Sequence, residues 1–197
     1  MTERKIRKLL LSSLPIETER LILRNIEIDD AYDMYEYSSI PDVSQYLMWY
    51  PHINLAATEG YIEFLQKRYL RGLYADWGVV LKDSGKMIGT CGYAAVEPST
   101  GIFEIGYVLS PLYRHCGYMT EAVNAVLDLS FNKLGFSKAI LRIIDENKPS
   151  ISLAERVGFK LDRIFNAEMV IKEKIRNIAH YSLSFEDFQN KKNEAVK

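Results

Sequence analysis

Residues 104–122 read Glu104-Ile-Gly-Tyr-Val-Leu-Ser-Pro-Leu-Tyr-Arg-His-Cys-Gly-Tyr-Met-Thr-Glu-Ala122. The first six alternate as a strand does, Ser110-Pro111 marks a turn, Arg114-x-x-Gly117 is a short loop, and Thr120-Glu121 lie in the first turn of a helix. A strand, a glycine loop and a helix in that order build an anion site. A helix N-terminus presents unpaired backbone N–H groups and a partial positive charge, and a glycine just ahead of it lets a phosphate reach the main chain. Gly117 is that glycine, and Leu112 to Gly117 form the loop.

Upstream, Thr18 to Ile26 alternates as an early strand, and Asp29-Asp30 open a helix that Pro41 stops. Asn54 caps a second helix ending near Gly72. Ala75, Trp77, Val79 and Leu81 alternate along a strand, Asp83 to Lys86 is a hairpin turn, and Met87–Val96 and Ile102–Leu109 continue an antiparallel sheet. Downstream, Val123, Val126, Leu127, Phe131 and Leu134 recur at helical spacing up to Gly135. Ala139–Ile144 is a short β-rich run. Asn147 caps a helix with Pro149 in its first turn and Gly158 at its end. Two last strands, about 160–170 and 174–184, turn near Lys172-Glu173-Lys174. The βααβββαβαββ order gives an α+β domain whose largely antiparallel sheet turns parallel around the central helix. The expected organisation is a helical extension over 1–14, one domain over 15–185 and a polar tail over 186–197, as a short helix or disordered.

The chain has 197 residues, 48% of them hydrophobic, which suffices for the core of one domain. With 25 Lys+Arg against 26 Asp+Glu, no global field draws it to nucleic acid or an anionic membrane. The apolar run after the N-terminal charges falls short of a secretion signal. It reads as an amphipathic helix packing on the domain or on a second subunit, with a membrane-surface role the lesser alternative. No run is long enough for a transmembrane helix, and Cys91 and Cys116 are too few for a disulfide framework. The expected protein is cytoplasmic, a monomer or homodimer. His52, His115 and His180 lack paired ligand spacing, so no metal is expected. No Gly-x-Gly-x-x-Gly appears, which disfavours a dinucleotide-binding oxidoreductase.

Arg114-His115-Cys116-Gly117-Tyr118-Met119 resembles the acyl-CoA loop of the GNAT family of N-acetyltransferases, Gln/Arg-x-x-Gly-x-Gly/Ala, with Met119 where the family has a small residue. Thr18-Glu-Arg-Leu-Ile-Leu-Arg24 resembles the opening strand of the branch that acetylates ribosomal-protein N-termini, RimJ/RimL-like. Asn147-x-x-Ser150 with Leu153-Ala-Glu-Arg-Val-Gly-Phe159 resembles its second signature. The resemblance implies a single GNAT-like domain, a mixed and mostly antiparallel sheet splayed around an acetyl-CoA cleft and flanked by helices. Residues 104–110 and 140–146 would be the two walls.

It further implies acetyl-CoA as co-substrate, held by the main chain of residues 114–119 with charge from Arg114, by Val108 and Leu109 pairing with the pantetheine arm, and by Asn147. Alternation turns Glu104 away from Phe103, Ile105 and Tyr107, making it the expected general base. A modest base suffices for an α-amine, whose pKa is about 7.7–8 against about 10.4 for lysine. Ser150 is the expected hydroxyl at the leaving sulfur, a role tyrosine fills in many relatives. Trp49, Tyr50, His52, Trp77 and Tyr93 are candidates to line the acceptor pocket, although a residue of this kind is more often core than site. The acceptor is a primary amine, a protein N-terminus or a small molecule, attacked directly in a ternary complex. The alternative is a catalytically impaired acyl-CoA-binding module.

Overall fold

The computed structural model describes residues 3–71 and 75–195. One eight-stranded sheet runs in the order β1-β2-β3-β4-β5-β6-β8-β7, with β1 Ile16–Glu17, β2 Leu21–Arg24, β3 Asp76–Leu81, β4 Met87–Glu97, β5 Ile102–Leu109, β6 Lys138–Ile144, β7 Lys160–Ile171 and β8 Lys174–Ser184. Every neighbouring pair is antiparallel except β5 and β6. That pair is joined by α5, Tyr118–Asp128, the crossover helix that parallel neighbours require. The other helices are α1 Glu3–Ser12, α2 Ala31–Ser38, α3 Pro41–Ser44, α4 Leu55–Leu70, α6 Lys148–Val157 and α7 Phe185–Ala195.

The sheet is covered on both faces. Ile6 and Leu10 of α1, Val123, Val126 and Leu127 of α5, and Phe188 of α7 close one face over Leu21, Val79, Cys91 and Phe103. Met34 and Tyr37 of α2 with Ile62 and Leu65 of α4 close the other over Ile26, Val80 and Met87. The N-terminal segment therefore packs on the core, and the C-terminal polar segment is a helix anchored by Phe188 and capped by Ser184, whose Oγ accepts from Asp187 N at 3.1 Å. Asn54 caps α4 by accepting from Ala57 N at 3.0 Å. The residue expected to end that helix, Gly72, lies outside the described residues.

One expected strand, Thr18 to Ile26, is shortened to Leu21–Arg24. Thr18 to Ile26 does not run straight, because Thr18 and Arg20 turn toward α5. The Thr18 hydroxyl donates to Glu121 Oε1 at 2.6 Å, the Arg20 amide donates to the same oxygen at 2.9 Å, and Arg20 Nε donates to Oε2 at 2.7 Å. The Thr-x-Arg pair thus ties the start of the sheet to the first turn of α5. Burial works against the Glu121 charge, but these three bonds outweigh it and hold the carboxyl below its ordinary range.

Two features of the sheet shape the site. β5 pairs with β6 only through Ile102–Lys138, Phe103–Ala139 and Glu104–Ile140, after which the strands part. On β4, Ala94 is bulged out of the ladder between Tyr93 and Ala95. Beside it Gly92 lies so close to β3 that a Cβ there would meet Asp76 Cα and Ala75 O, each at 2.6 Å. Both obstacles are backbone and neither can yield. We expect Gly92→Ala to lower stability by about 1–3 kcal/mol or more, read as a lower urea midpoint with an unchanged slope.

Candidate active site

Gly117 sits at the N-cap of α5 with φ +81, a conformation strained for any other residue, and no side chain caps the helix there. The first amides of α5 have no intrahelical acceptor and point out of the helix end. His115, also at positive φ (+65), turns the loop so that these amides face a cleft of about 850 Å³. One wall of the cleft is Tyr107, Val108 and Leu109 of β5. The facing wall is Asn147, Ser150 and Leu153 at the start of α6. The cleft is the space left where β5 and β6 part; its β5 wall falls within the expected 104–110, but the facing wall is the start of α6 rather than the expected 140–146, none of which lines it.

Met119 lines this space but is buried in the core beneath α5. The long side chain that departs from the small-residue pattern points inward, which leaves the backbone of the loop open. Arg114 borders the cleft and donates to Asp42 Oδ2 at 3.1 Å. Cys116 is exposed, and its thiol turns back toward the Arg114 carbonyl rather than lining the cleft, so its contribution is main chain only.

Arg20 was not read from the sequence as a site residue. Its guanidinium donates to Cys116 O at 3.0 Å, lies 4.5 Å from the centre of the Tyr118 ring, and would stand 3.4 Å from a Cβ on Gly117. It supplies the positive charge nearest the glycine. The Thr-x-Arg signal lay in the opening strand motif, but its partner Glu121 is a hundred residues distant.

At the head of the cleft the Tyr107 and Ser150 hydroxyls lie 2.7 Å apart. Ser150 N donates to the capping Asn147 side chain at 3.4 Å, so the cap fixes the start of α6 and with it the Ser150 hydroxyl. Burial pushes the Tyr107 phenol up to about 12, the Ser150 hydrogen bond pulling the other way. Tyr107 is therefore protonated at neutral pH and has a proton to give. Serine and tyrosine, alternatives by sequence, lie here as one hydrogen-bonded pair.

Glu104 is turned away from Phe103 and Ile105, as alternation predicts, yet its carboxylate is committed. Arg142 Nε donates to both oxygens, at 3.0 and 3.1 Å, and Arg142 Nη2 donates at 2.8 Å. The pair spans β5 and β6 at Glu104–Ile140, the last register position before the strands part. Both carboxylate oxygens are thus occupied by a bidentate guanidinium. Glu104 instead fastens the fork.

Two expected acceptor-pocket residues are core. Trp77 and Tyr93 are buried against each other on the α5 side, ring centroids 5.4 Å apart, and the Tyr93 hydroxyl meets Ser130 Oγ at 2.7 Å. Alternation put them on one strand face without saying which face held the acceptor. His52 is structural as well: its Nδ1 lies 3.0 Å from Ser38 Oγ and 2.8 Å from Thr58 Oγ1, joining α2 to α4, and burial lowers its pKa. Trp49 packs at the edge of the α2–α4 core, and the exposed Tyr50 ring lies 5.1 Å from Lys172 Nζ on the β7–β8 turn. Neither of those two lines the cleft. Among the described residues no three His, Cys, Asp or Glu side chains gather as metal ligands, and no helix is long and apolar enough to cross a membrane.

A sheet that forks beside a glycine-started helix, with a protonated hydroxyl pair at the head of the fork, defines an acyl-CoA-dependent transferase. The sequence agrees: the acetyltransferase (GNAT) domain matches residues 20–160, and the chain belongs to the GNAT family of N-acetyltransferases. The uncharacterised N-acetyltransferase p20 of Bacillus licheniformis is 28% identical over 166 residues, covering 84% of this chain and 93% of p20. The microcin C7 self-immunity acetyltransferase MccE, solved with acetyl-CoA and AMP, superposes with TM-score 0.76 at 19% identity, over 88% of this chain and 99% of that one. RimL, a ribosomal L7/L12 α-N-protein acetyltransferase, superposes with TM-score 0.76 at 17% identity, over 87% and 93%. These superpositions establish the shared fold.

The cleft leads to two expected outcomes. Acetyl-CoA should raise the melting temperature, by an amount equivalent to about 2.7 kcal/mol at a hundredfold excess over Kd. Gly117→Val should abolish that shift, since a branched side chain cannot hold φ +81 and would crowd Arg20. Separately, Glu104→Gln strips Arg142 of its charged partner, so urea denaturation should show a loss of about 1–3 kcal/mol.

Proposed function

We propose that this protein transfers acetyl from acetyl-CoA to a primary amine by direct attack in a ternary complex. The observation that carries this reading is the Tyr107–Ser150 pair, 2.7 Å between hydroxyls, at the head of the cleft that begins at Gly117. Acyl transfer to an amine needs a held thioester, a nucleophile free of its proton, and a proton for the departing thiolate. The main chain of 114–119 with Arg20 and Arg114 suits the pyrophosphate. Val108 and Leu109 lie on the stretch of β5 that has left β6; the Val108 carbonyl is turned to Gly89 of β4, so it is the Leu109 backbone that meets the open edge where the pantetheine arm would pair, and Asn147 orders the far wall. The amine nitrogen bonds to the thioester carbonyl carbon and the carbon–sulfur bond breaks. The thiolate takes the Tyr107 proton, Ser150 stabilising the phenolate until solvent restores it. The proton lost by nitrogen leaves toward the β5 face that carries Glu104 and Gly106.

The acceptor we favour is the α-amine of a protein N-terminus, because its deprotonation at pH 7 costs about 1 kcal/mol against more than 4 for lysine, and because RimL shares the fold. Small-molecule amines are the other class. Such a protein would work in the cytoplasm, as monomer or homodimer. The second reading, an acyl-CoA-binding module without turnover, draws on one observation: the expected base Glu104 is closed by Arg142.

A panel of N-terminal peptides, polyamines and amino acids assayed for CoA release tests the proposal. Turnover with any amine supports it. Tight acetyl-CoA binding with no turnover across the panel favours the module. In the active enzyme Tyr107→Phe should lower kcat by ~10²-fold or more and leave the acetyl-CoA affinity near parental.

A further inference from the structure

A second carboxylate lies on the same sheet face as Glu104, and among the described residues no side chain hydrogen-bonds it. Asp76 opens β3; its register partner is Gly92 on β4, whose partner in turn is Gly106 on β5. Across that row β4 and β5 carry no side chain, and β3 approaches β4 closely at Gly92. The Asp76 carboxylate therefore extends over β4 toward β5. A Cβ built on Gly106 would stand 3.8 Å from Asp76 Oδ1 and 3.5 Å from Ala94 Cβ, with no nearer atom. Gly106 directly precedes Tyr107, whose hydroxyl meets Ser150. The carboxylate is thus poised over the strand that forms the thioester wall of the cleft, one residue from the hydroxyl pair.

Two further observations mark this spot as a polar site rather than packing. No side chain among the described residues hydrogen-bonds the Asp76 carboxylate, although Asp76 is half-buried. The Tyr37 hydroxyl, whose charged form burial and then Tyr61, Asp76 and other nearby groups disfavour, is itself buried without a hydrogen-bond partner among the described residues. Two polar groups left open in one buried neighbourhood, over a floor of glycines, are what a donor-bearing ligand would satisfy.

We propose that Asp76 is the catalytic base, its carboxylate receiving the proton of the acceptor amine as nitrogen attacks the thioester, with Gly92 and Gly106 keeping the space between carboxylate and β5 clear. This rests on the transferase reading above. The step balances: nitrogen gives its proton to Asp76 and its electron pair to the carbonyl carbon, sulfur leaves with the carbon–sulfur pair, and Tyr107 protonates it. Asp76 later releases its proton to solvent. The groups facing it are Tyr37 of α2 and Tyr61, Tyr69 and Arg68 of α4, while Cys91 of β4 feels its charge from the opposite face of the sheet. Burial raises the Asp76 carboxyl to about 6, Arg68 pulling the other way. Above pH 6 it is charged and accepts a proton; below pH 6 it is protonated and does not. A group titrating there matches an α-amine better than a carboxylate in its ordinary range would.

The test is Asp76→Asn in the full chain with the best amine from the panel. We expect kcat to fall by ~10²–10⁴-fold with acetyl-CoA affinity retained, and the deficit to shrink at alkaline pH, where the amine loses its proton unaided. The parent's acidic limb near pH 6 should vanish in the variant. Because charging a buried carboxyl costs the folded state, the variant should also melt above the parent at pH 7.5, with the gap closing as pH falls through 6 toward 4. Should Asp76→Asn fail to fold, Gly106→Ala serves instead. Its methyl meets only ordinary contacts but occupies the amine's space, and kcat/KM for the acceptor should drop by at least ~10-fold. Parental turnover in the variant that folds overturns the Asp76 assignment alone. A parent that binds acetyl-CoA yet acetylates nothing overturns the transferase reading, and this one with it.

Discussion

β5 and β6 share hydrogen bonds over only three register pairs, and the cleft is a consequence of their ending there. Paired parallel strands stand about 4.8 Å apart, too close for a ligand between them. Once they part, the backbone of Ile105–Leu109 on that edge has no neighbour in the sheet. An edge of free N–H and C=O groups invites another extended chain, and pantetheine with its two amides is one. Parting strands would also be free to slide or fray. The Glu104–Arg142 bridge lies at the last shared pair and fastens the fork where the load changes from strand to ligand.

The same constraint divides the labour between the two faces. Toward α5 and α6 the fork meets a helix N-terminus, Gly117 and the Tyr107–Ser150 hydroxyls, groups that suit an anionic cofactor and a departing thiolate. Toward α2 and α4 it meets a floor of glycines with Asp76 above it, a surface suited to a cation. Charge is handled the same way at both ends. Glu121, with three donors, is held as a carboxylate and secures the phosphate loop to the start of the sheet, whereas Asp76, with none from the described residues, is left reactive. Two acidic residues in one molecule serve opposite purposes because one is hydrogen-bonded and the other, among the described residues, is not.

Much of this was legible in the sequence because it is local. The Gly117 loop, the Asn54 and Asn147 caps and the turn at Lys172-Glu173 depend on neighbours within four residues, and the element order follows from hydrophobic period. The alternation of β5 correctly set Glu104 opposite Phe103. What it could not disclose was Arg142, 38 residues away on a strand whose register depends on where α5 returns the chain. Trp77 and Tyr93 failed for a related reason: alternation defines two faces, but only packing decides which faces α5 and which the acceptor. Asp76 was overlooked because it stands in the pattern as the polar partner of Ala75 and Trp77. Its significance arises from Gly92 and Gly106, which are strand breakers by propensity and clear the ground beside it in three dimensions. Met119 was misleading in the other direction, since residue size alone cannot reveal that the side chain turns inward.

The central claim is that the cofactor occupies the fork, phosphates on the α5 N-terminus and arm along the free edge of β5. An ¹⁵N NMR titration of the full chain with CoA tests it most directly. The account predicts the largest shifts at the amides of Gly117, Tyr118, Met119 and Thr120, together with Val108 and Leu109 along the edge and Ser150 across the cleft. Shifts confined to the shallower depression near Ser13 and Lys133, with the Gly117 and Val108 amides unmoved at saturation, would contradict it.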